Sequence, residues 1–501
     1  MSLEESRAAI AHQLRRRAAN LLSMFDGAVF ANGASPYRPL LEHAGIERAD
    51  IERLVREDGV DGALARLHAA GVYVRLDELK GLVPIRRGSL ELAVSPADFD
   101  NPLGASHYVA RSGGSGGAPR PTLIDLTLVA HDACYFAVFL DAFEVWERPT
   151  AFWYPMPPGN VGVKVALWNS RLDRRAGPWF SQTGFARRAE SLRPALLTAA
   201  MWAMSRARGR PIPFPSHTPT EQASRVAAWL DSNKRAGRPA LLASTPSSAV
   251  RTCFAAEAGG LDLEGAMFRL GGEPYTPAKA SVIRAAGARA AAHYSMSEAG
   301  LVGAACARPE HVDETHVALD KVALVRVPNP AGGDGEADLL LTNLLPGAPK
   351  TLINAEIGDA AVVAERDCGC PYSALGLSLH AHSIRSSAKL TSEGMTVVGS
   401  ALLELVEDVL PSRFGGRPTD YQLAEVEVDG LTRVRLRVSP RVGPVDEPDV
   451  VATVLATIGS HGRPERFMAG IWGNAGTLEV VREEPRATAA SKILPLDRSA
   501  A

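Results

Sequence analysis

Ala110-Arg-Ser-Gly-Gly-Ser-Gly-Gly-Ala-Pro-Arg-Pro121 is the stretch on which the reading of this chain turns. Its four glycines (Gly113, Gly114, Gly116 and Gly117) let the backbone take positive φ and come close to a ligand. Ser112 and Ser115 add hydroxyl donors, and Arg111 and Arg120 add positive charge. Such a set suits a polyphosphate, held by Ser112, Gly113, Gly114, Ser115, Gly116 and Arg120. The competing reading is a flexible Gly/Ser surface loop. No Gly-Lys-Ser/Thr closes the stretch and no clear strand leads into it, so it is not the P-loop signature. Distant parts of the chain must supply the rest of a nucleotide site.

Around this loop the chain has the composition of an ordinary globular protein. Of 501 residues, 46% are hydrophobic and 22% charged, which is enough for a large core and more than one domain. A net charge of −2 creates no long-range field for nucleic acid or an anionic membrane. The first residues carry acids and arginines with no apolar segment behind them, so no secretory signal is read, and no run of about 18 apolar residues would span a bilayer. Five cysteines are too few for a disulfide framework in a chain of this length. That points to a reducing compartment, the cytoplasm.

Upstream, residues 4–24 read as helix, and residues 48–70 as two short helices around the Asp58-Gly-Val-Asp61 turn, giving a helical entry segment over residues 1–70. Val72-Tyr-Val-Arg and Leu90-Glu-Leu-Ala-Val read as strands. Downstream, residues 123–146 read as a buried helix. Its His131 could face a substrate or be a satisfied core residue. Strand-like segments (162–168, 240–245) then alternate with helices (192–206, 218–236, 277–286), the rhythm of an α/β core with partly parallel sheets. Past residue 375 the texture changes. Two alternating strands, 421–428 and 432–439, flank Asp429-Gly430, followed by a helix at 449–459 and a strand near 477–482. The expected architecture is a large α/β domain over residues 1–384 and a small α+β domain over residues 385–501.

Four further segments follow the glycine loop in order: Gly271-Gly-Glu-Pro-Tyr-Thr276, Tyr294-Ser-Met-Ser-Glu298, Leu352-Ile-Asn-Ala-Glu-Ile-Gly-Asp359 and Ala490-Ser-Lys-Ile493. With the small C-terminal unit they resemble the adenylate-forming superfamily of acyl-CoA ligases and adenylation domains, specifically its phenylacetate-CoA ligase-like branch, over roughly residues 35 to 495. The resemblance implies ATP-dependent activation of a small-molecule carboxylic acid through an acyl-adenylate, then transfer to a thiol. The acid is expected to be aromatic or otherwise apolar, bound between the helix at 123–146, residues 243–248 and the strand before Gly271. The acceptor is CoA, with a carrier-protein thiol, an amine or another nucleophile as alternatives, and a non-catalytic nucleotide-binding protein on the same fold as a second alternative. A homodimer is compatible with the resemblance.

Residue by residue, Gly271, Gly272, Glu273 and Pro274 would lie against adenine, with Tyr294 stacking on it. Ser297 would donate to the α-phosphate and Glu298 would bind Mg²⁺. Asp359 would accept the ribose hydroxyls, near the hinge residue Arg385. Lys492 would reach the α-phosphate as negative charge builds there.

Some positions depart from the pattern. Arg111 opens the glycine loop, Gly114 replaces a hydroxyl residue, and one residue is inserted near Gly117. At the hinge, Ile384 and Ser387 replace the usual Gly and Asp, and Ser491 replaces Gly beside the lysine.

Cysteine spacing adds a candidate structural zinc site. Cys306, Cys368 and Cys370 with His316 would make a closed Cys₃His set, with His311 competing as the fourth ligand. Zinc-binding members of the same branch resemble this arrangement. The alternative is three buried free thiols, and Cys134 and Cys253 read as core.

Overall fold

The computed structural model describes residues 1–105, 108–111, 121–157, 159–184, 192–328, 335–386, 389–392, 395–398, 402, 404–460, 463–486 and 496–497. Among them, three larger sheets organise the chain. The first has six strands, all in parallel pairs, in the order Arg289–Ala292, Met267–Leu270, Leu241–Ser244, Thr150–Trp153, Trp179–Ser181, Pro215–His217. Chain order runs outward in both directions from the junction of Thr150–Trp153 with Leu241–Ser244. In open parallel sheets such a switch point marks the ligand crevice at the strands' C-terminal ends.

Helices cover both faces of this sheet. On one face Leu126–Ala142 and Val161–Arg171 pack over Phe152, Leu241 and Met267, and on the other Ala223–Arg235, Pro246–Gly259 and Pro277–Ala285 pack over Trp153, Leu242 and Phe268. Local sequence sets the helix ends. Thr245 and Thr276 cap the amide of the third residue in their helices, and Pro246 and Pro277 follow at the first helical position. Leu126–Ala142 is buried without a break from Asp132 to Leu140 because a second core, containing Tyr135, Val138 and Tyr372, lies on its other side.

The second sheet is antiparallel, in the order Tyr294–Met296, Gly300–Ala305, Thr315–Val317, Leu379–Ser386, Ala355–Glu365, Glu336–Asn343, Val322–Pro328. Helices of the entry segment pack beside it, with Val60, Leu64 and Leu67 against Ala323 and Ile353. The third sheet joins Leu478–Val481, Leu431–Val438, Tyr421–Val428 and Leu496–Asp497. It shares a separate core with helices Glu447–Ser460 and Arg463–Ala475. Its hairpin turns through Asp429 (φ 51°) and Gly430 (φ 71°), the paired positive torsions of a type I′ turn.

Several expectations need correcting. Residues 162–168 form part of the helix Val161–Arg171 and not a strand. The alternating valines imitate a strand, but Gly162 lets the helix lie against Trp179, where a Cβ would come within 2.6 Å of the indole. Val72-Tyr-Val-Arg forms only one isolated bridge, Val74 to Ala355, and Leu90–Leu92 pairs with Ile85–Arg87. The glycine-rich stretch does have a strand leading in: Tyr108–Arg111 pairs antiparallel with Pro121–Ile124. Residues 48–70 behave as read, with Gly59 (φ 69°, ψ −174°) breaking Arg48–Ala69 into two helical pieces.

Candidate active site

The hairpin that carries the glycine-rich stretch is fixed at its base. Asp125 caps the helix Leu126–Ala142 through the Thr127 amide (2.7 Å) and also accepts from the Ala105 amide (2.9 Å). Asn101 donates to the carbonyls of Pro346 and Ala348, both at 2.9 Å. Ser112, Gly113, Gly114, Ser115, Gly116, Arg120 and Lys492 lie outside the described residues.

The remaining candidates gather where the first sheet gives way to the second. The strand Met267–Leu270 ends in Gly271 and Gly272, and Gly272 takes φ 94°, a torsion that favours glycine. Two strands on, the Tyr294 hydroxyl donates to Asp359 Oδ2 at 2.8 Å, joining residues 65 positions apart. Burial, the Asp359 carboxylate and the charge of Glu298 together push the Tyr294 phenol well above its ordinary range. Ser297 and Glu298 occupy the turn between Tyr294–Met296 and Gly300–Ala305. Asn343 Nδ2 holds that turn by donating to the Glu298 carbonyl at 3.0 Å. The Glu298 carboxylate is partly buried and has no donor among the described residues, as a ligand for a hard cation requires.

Two candidates do other work. Glu273 accepts from the Ser247 amide and, at 3.0 Å, from the Ser247 hydroxyl, so it anchors the N-terminus of Pro246–Gly259. Arg385 is exposed and pairs across the sheet with Ala360. Its side chain therefore takes the face opposite Asp359.

The third sheet docks directly behind the Gly271 loop. Thr276 Oγ1 donates to Glu427 at 2.5 Å, and the buried Lys279 ammonium reaches Thr432 Oγ1 at 2.6 Å and the Pro274 carbonyl at 2.8 Å. Between these bodies lies a cavity of about 390 Å³ lined by Phe254, Val282, Val428, Asp429, Leu431 and Arg433.

Beneath the Glu298 turn, Asp132 pairs with Lys321, both almost wholly buried, and Lys321 also donates to the Leu301 carbonyl at 2.8 Å. Gly300 (φ 72°) presses on this pair, with a Cβ position only 2.8 Å from Asp132. His131 is a satisfied residue: its Nε2 lies 2.5 Å from Asp320, which also accepts from Tyr135. Sequence reasoning missed two cations here, Lys164 and Arg269. The signal for each was a lone charge within an apolar run, Val-Gly-Val-Lys-Val and Met-Phe-Arg-Leu.

The cysteine cluster lies on the far side of Leu126–Ala142. One ligand atom each from Cys306, His316, Cys368 and Cys370 falls within a span of 4.8 Å. His316 Nδ1 faces the Leu377 carbonyl at 2.7 Å, leaving the Nε2 lone pair to point at Cys370 (3.1 Å) and Cys368 (3.6 Å). Hydrogen bonding from Cys306 pulls the Cys370 thiol down, and the same bond pushes Cys306 up. Three sulfurs and one correctly turned imidazole fit a tetrahedral metal. His311 instead stacks on His382 at 3.6 Å and is not part of the set. Cys134 and Cys253 are buried, and burial raises their thiols to about 11 and about 12.

No protein-family model matches the chain, and no curated protein matches it by sequence. Solved structures do match. 2-Hydroxyisobutyryl-CoA ligase, in complex with 2-HIB-AMP and CoA in the thioesterification state, superposes with a TM-score of 0.56 at 15% identity. The match covers 99% of this chain and 91% of that one. o-Succinylbenzoate CoA synthetase from Bacillus subtilis matches at a TM-score of 0.40 and 12% identity, over 78% of this chain and 69% of that one. The chain thus has the fold of the adenylate-forming acyl-CoA ligases, C-terminal domain included. No helix among the described residues is long and apolar enough to cross a membrane.

Proposed function

We propose that the chain is an AMP-forming acid–thiol ligase of the phenylacetate-CoA ligase-like branch. It would activate an aromatic carboxylic acid with ATP, release pyrophosphate, and pass the acyl group to the thiol of CoA. The observation that carries this reading is the meeting of Tyr294 and Asp359 beside the Gly271 loop and the Glu298 turn.

Adenine would lie on the Gly271–Gly272 backbone with Tyr294 against it, its hydroxyl tied to Asp359, which accepts the ribose hydroxyls. Ser297 would donate to the α-phosphate. Glu298 would hold magnesium, which supplies charge neutralisation between phosphate oxygens. Phe136, Phe139, Tyr154 and Trp168 form the apolar wall for the acid at the sheet's switch point. The body with its own core (Leu402 to Val480) carries Lys492, and its rotation would bring the ammonium to the oxygen where charge develops. We place the division near residue 384, as in the sequence reading. Cys306, His316, Cys368 and Cys370 would hold a structural zinc, tying the second sheet to the loop after Glu365.

Acid-dependent exchange of labelled pyrophosphate into ATP tests the reaction. Lys492→Ala should lower exchange by about 10²–10³ with ATP affinity retained; full exchange by that variant would remove the lysine from the mechanism. Metal analysis should return about one zinc per chain, and a metal-free protein of unchanged stability would leave the cysteines as core thiols.

A further inference from the structure

We infer that Arg269 is built to hold a second anionic group of the acid substrate, at the end remote from the carboxylate that is activated. This rests on the ligase reading and names its substrate class: acids carrying a distal carboxylate or comparable oxyanion.

Arg269 stands on the strand Met267–Leu270, two residues before Gly271. It is only 6% exposed. Its guanidinium lies over the rings of Trp168 (4.9 Å), Phe136 (5.5 Å) and Phe139 (5.6 Å). Aromatic faces attract the cation, but they leave its in-plane N–H groups unanswered. Among the described residues no carboxylate, hydroxyl or carbonyl accepts from Arg269, and its Nε is wholly buried without a partner.

Two more buried donors in the same neighbourhood share this condition. Among the described residues Trp168 Nε1 has no acceptor. His293, which meets Phe139 edge to face at 5.1 Å, accepts the Ala305 amide on Nδ1 at 3.3 Å. The neutral ring must therefore carry its proton on Nε2, and that nitrogen is also buried and has no partner among the described residues. About one helical turn before Trp168, on the same face and about 6 Å along the axis, stands Lys164. Lys164 is partly buried, has no acceptor among the described residues, and feels the charge of Glu298.

Native interiors rarely leave one such donor unmatched. Here donors run from the Glu298 side inward to Arg269; Asp132, the acid whose charge reaches Arg269, is already paired with Lys321, and Glu298 lies at the Lys164 end. A planar oxyanion against the guanidinium would answer these donors together. A purely apolar acid would leave them all bare.

The test pairs acids that differ only in the distal group: glutarate against pentanoate, and carboxyphenylacetate against phenylacetate. In pyrophosphate exchange the wild-type protein should prefer the diacid by about 10²–10⁴ in kcat/KM. Arg269→Met should lose that preference and gain on the monoacid, whereas Arg269→Lys should keep part of it; urea midpoints check that both fold. Equal use of both acids by wild type, or an unchanged preference in Arg269→Met, overturns the inference and leaves the ligase reading standing. If no acid supports exchange the ligase reading falls, and calorimetry decides Arg269 by itself. Glutarate binding by wild type that vanishes in Arg269→Met supports the anion site, and equal or absent binding overturns it.

Discussion

Lys321 and Arg269 are both buried cations beside the helix Leu126–Ala142, and they are treated in opposite ways. Lys321 meets the Asp132 carboxylate and the Leu301 carbonyl, so every element around it is held to one geometry. Arg269 meets only aromatic faces, with no acceptor among the described residues. A charge that the fold itself neutralises is part of the scaffold. A charge left without an acceptor costs stability in the free protein, and that cost is intelligible where a ligand completes the site.

The largest effect expected from this contrast is on stability. Asp132→Ala should destabilise by about 3–5 kcal/mol, because Lys321 is then buried with no counter-charge. Asp132→Leu combined with Lys321→Met should recover most of that loss. Arg269→Met should move the other way, leaving stability unchanged or raising it by about 1–3 kcal/mol, since buried donors with no acceptor are removed. Urea unfolding of the four proteins reads all three numbers. Loss of stability in Arg269→Met comparable to that in Asp132→Ala would make the two cations alike and end the comparison.

Part of the proposed nucleotide site was legible in the sequence, and little of the proposed acid site. Tyr294, Glu298 and Asp359 stand in short segments whose order along the chain carries information, and the structure brings those segments together. Asp429-Gly430 was readable because two positive torsions in succession demand such residues. By contrast, Glu273 lies in a recognisable segment, yet its carboxylate serves as an anchor for Ser247, a long-range contact that no local pattern encodes. The helix Val161–Arg171 was misread because Val161, Val163 and Val165 alternate as a strand's residues do, over a stretch too short for the helical period to stand out. That misreading hid Lys164 and Trp168, whose one-turn spacing has meaning only on a helix. Helix Arg463–Ala475 went unread as well, although its apolar stripe packs Ile471 and Trp472 into the C-terminal core. Arg269 left only a weak signal, a lone charge in an apolar run, since a strand arginine usually marks an exposed edge. Its strand is instead flanked by Leu241–Ser244 and Arg289–Ala292.

The smallest effect sharpens the comparison through pH. Burial and the nearby Arg269 charge hold the His293 imidazole well below its ordinary value near 6.5. Below pH 6.5 the unfolded chain takes up a proton that the folded chain refuses. The stabilising contribution is therefore complete above pH 6.5 and declines as pH falls, by up to about 1.4 kcal/mol per unit from this one group. His293→Asn keeps an acceptor for the Ala305 amide and abolishes the titration, so its stability should fall less between pH 7 and pH 5.5. Saturating glutarate should flatten the wild-type slope too, because an oxyanion placed against Arg269 offsets the charge that opposes protonation of His293. A wild-type slope indifferent to glutarate, in a protein that binds it, would put the bound anion somewhere other than beside these donors.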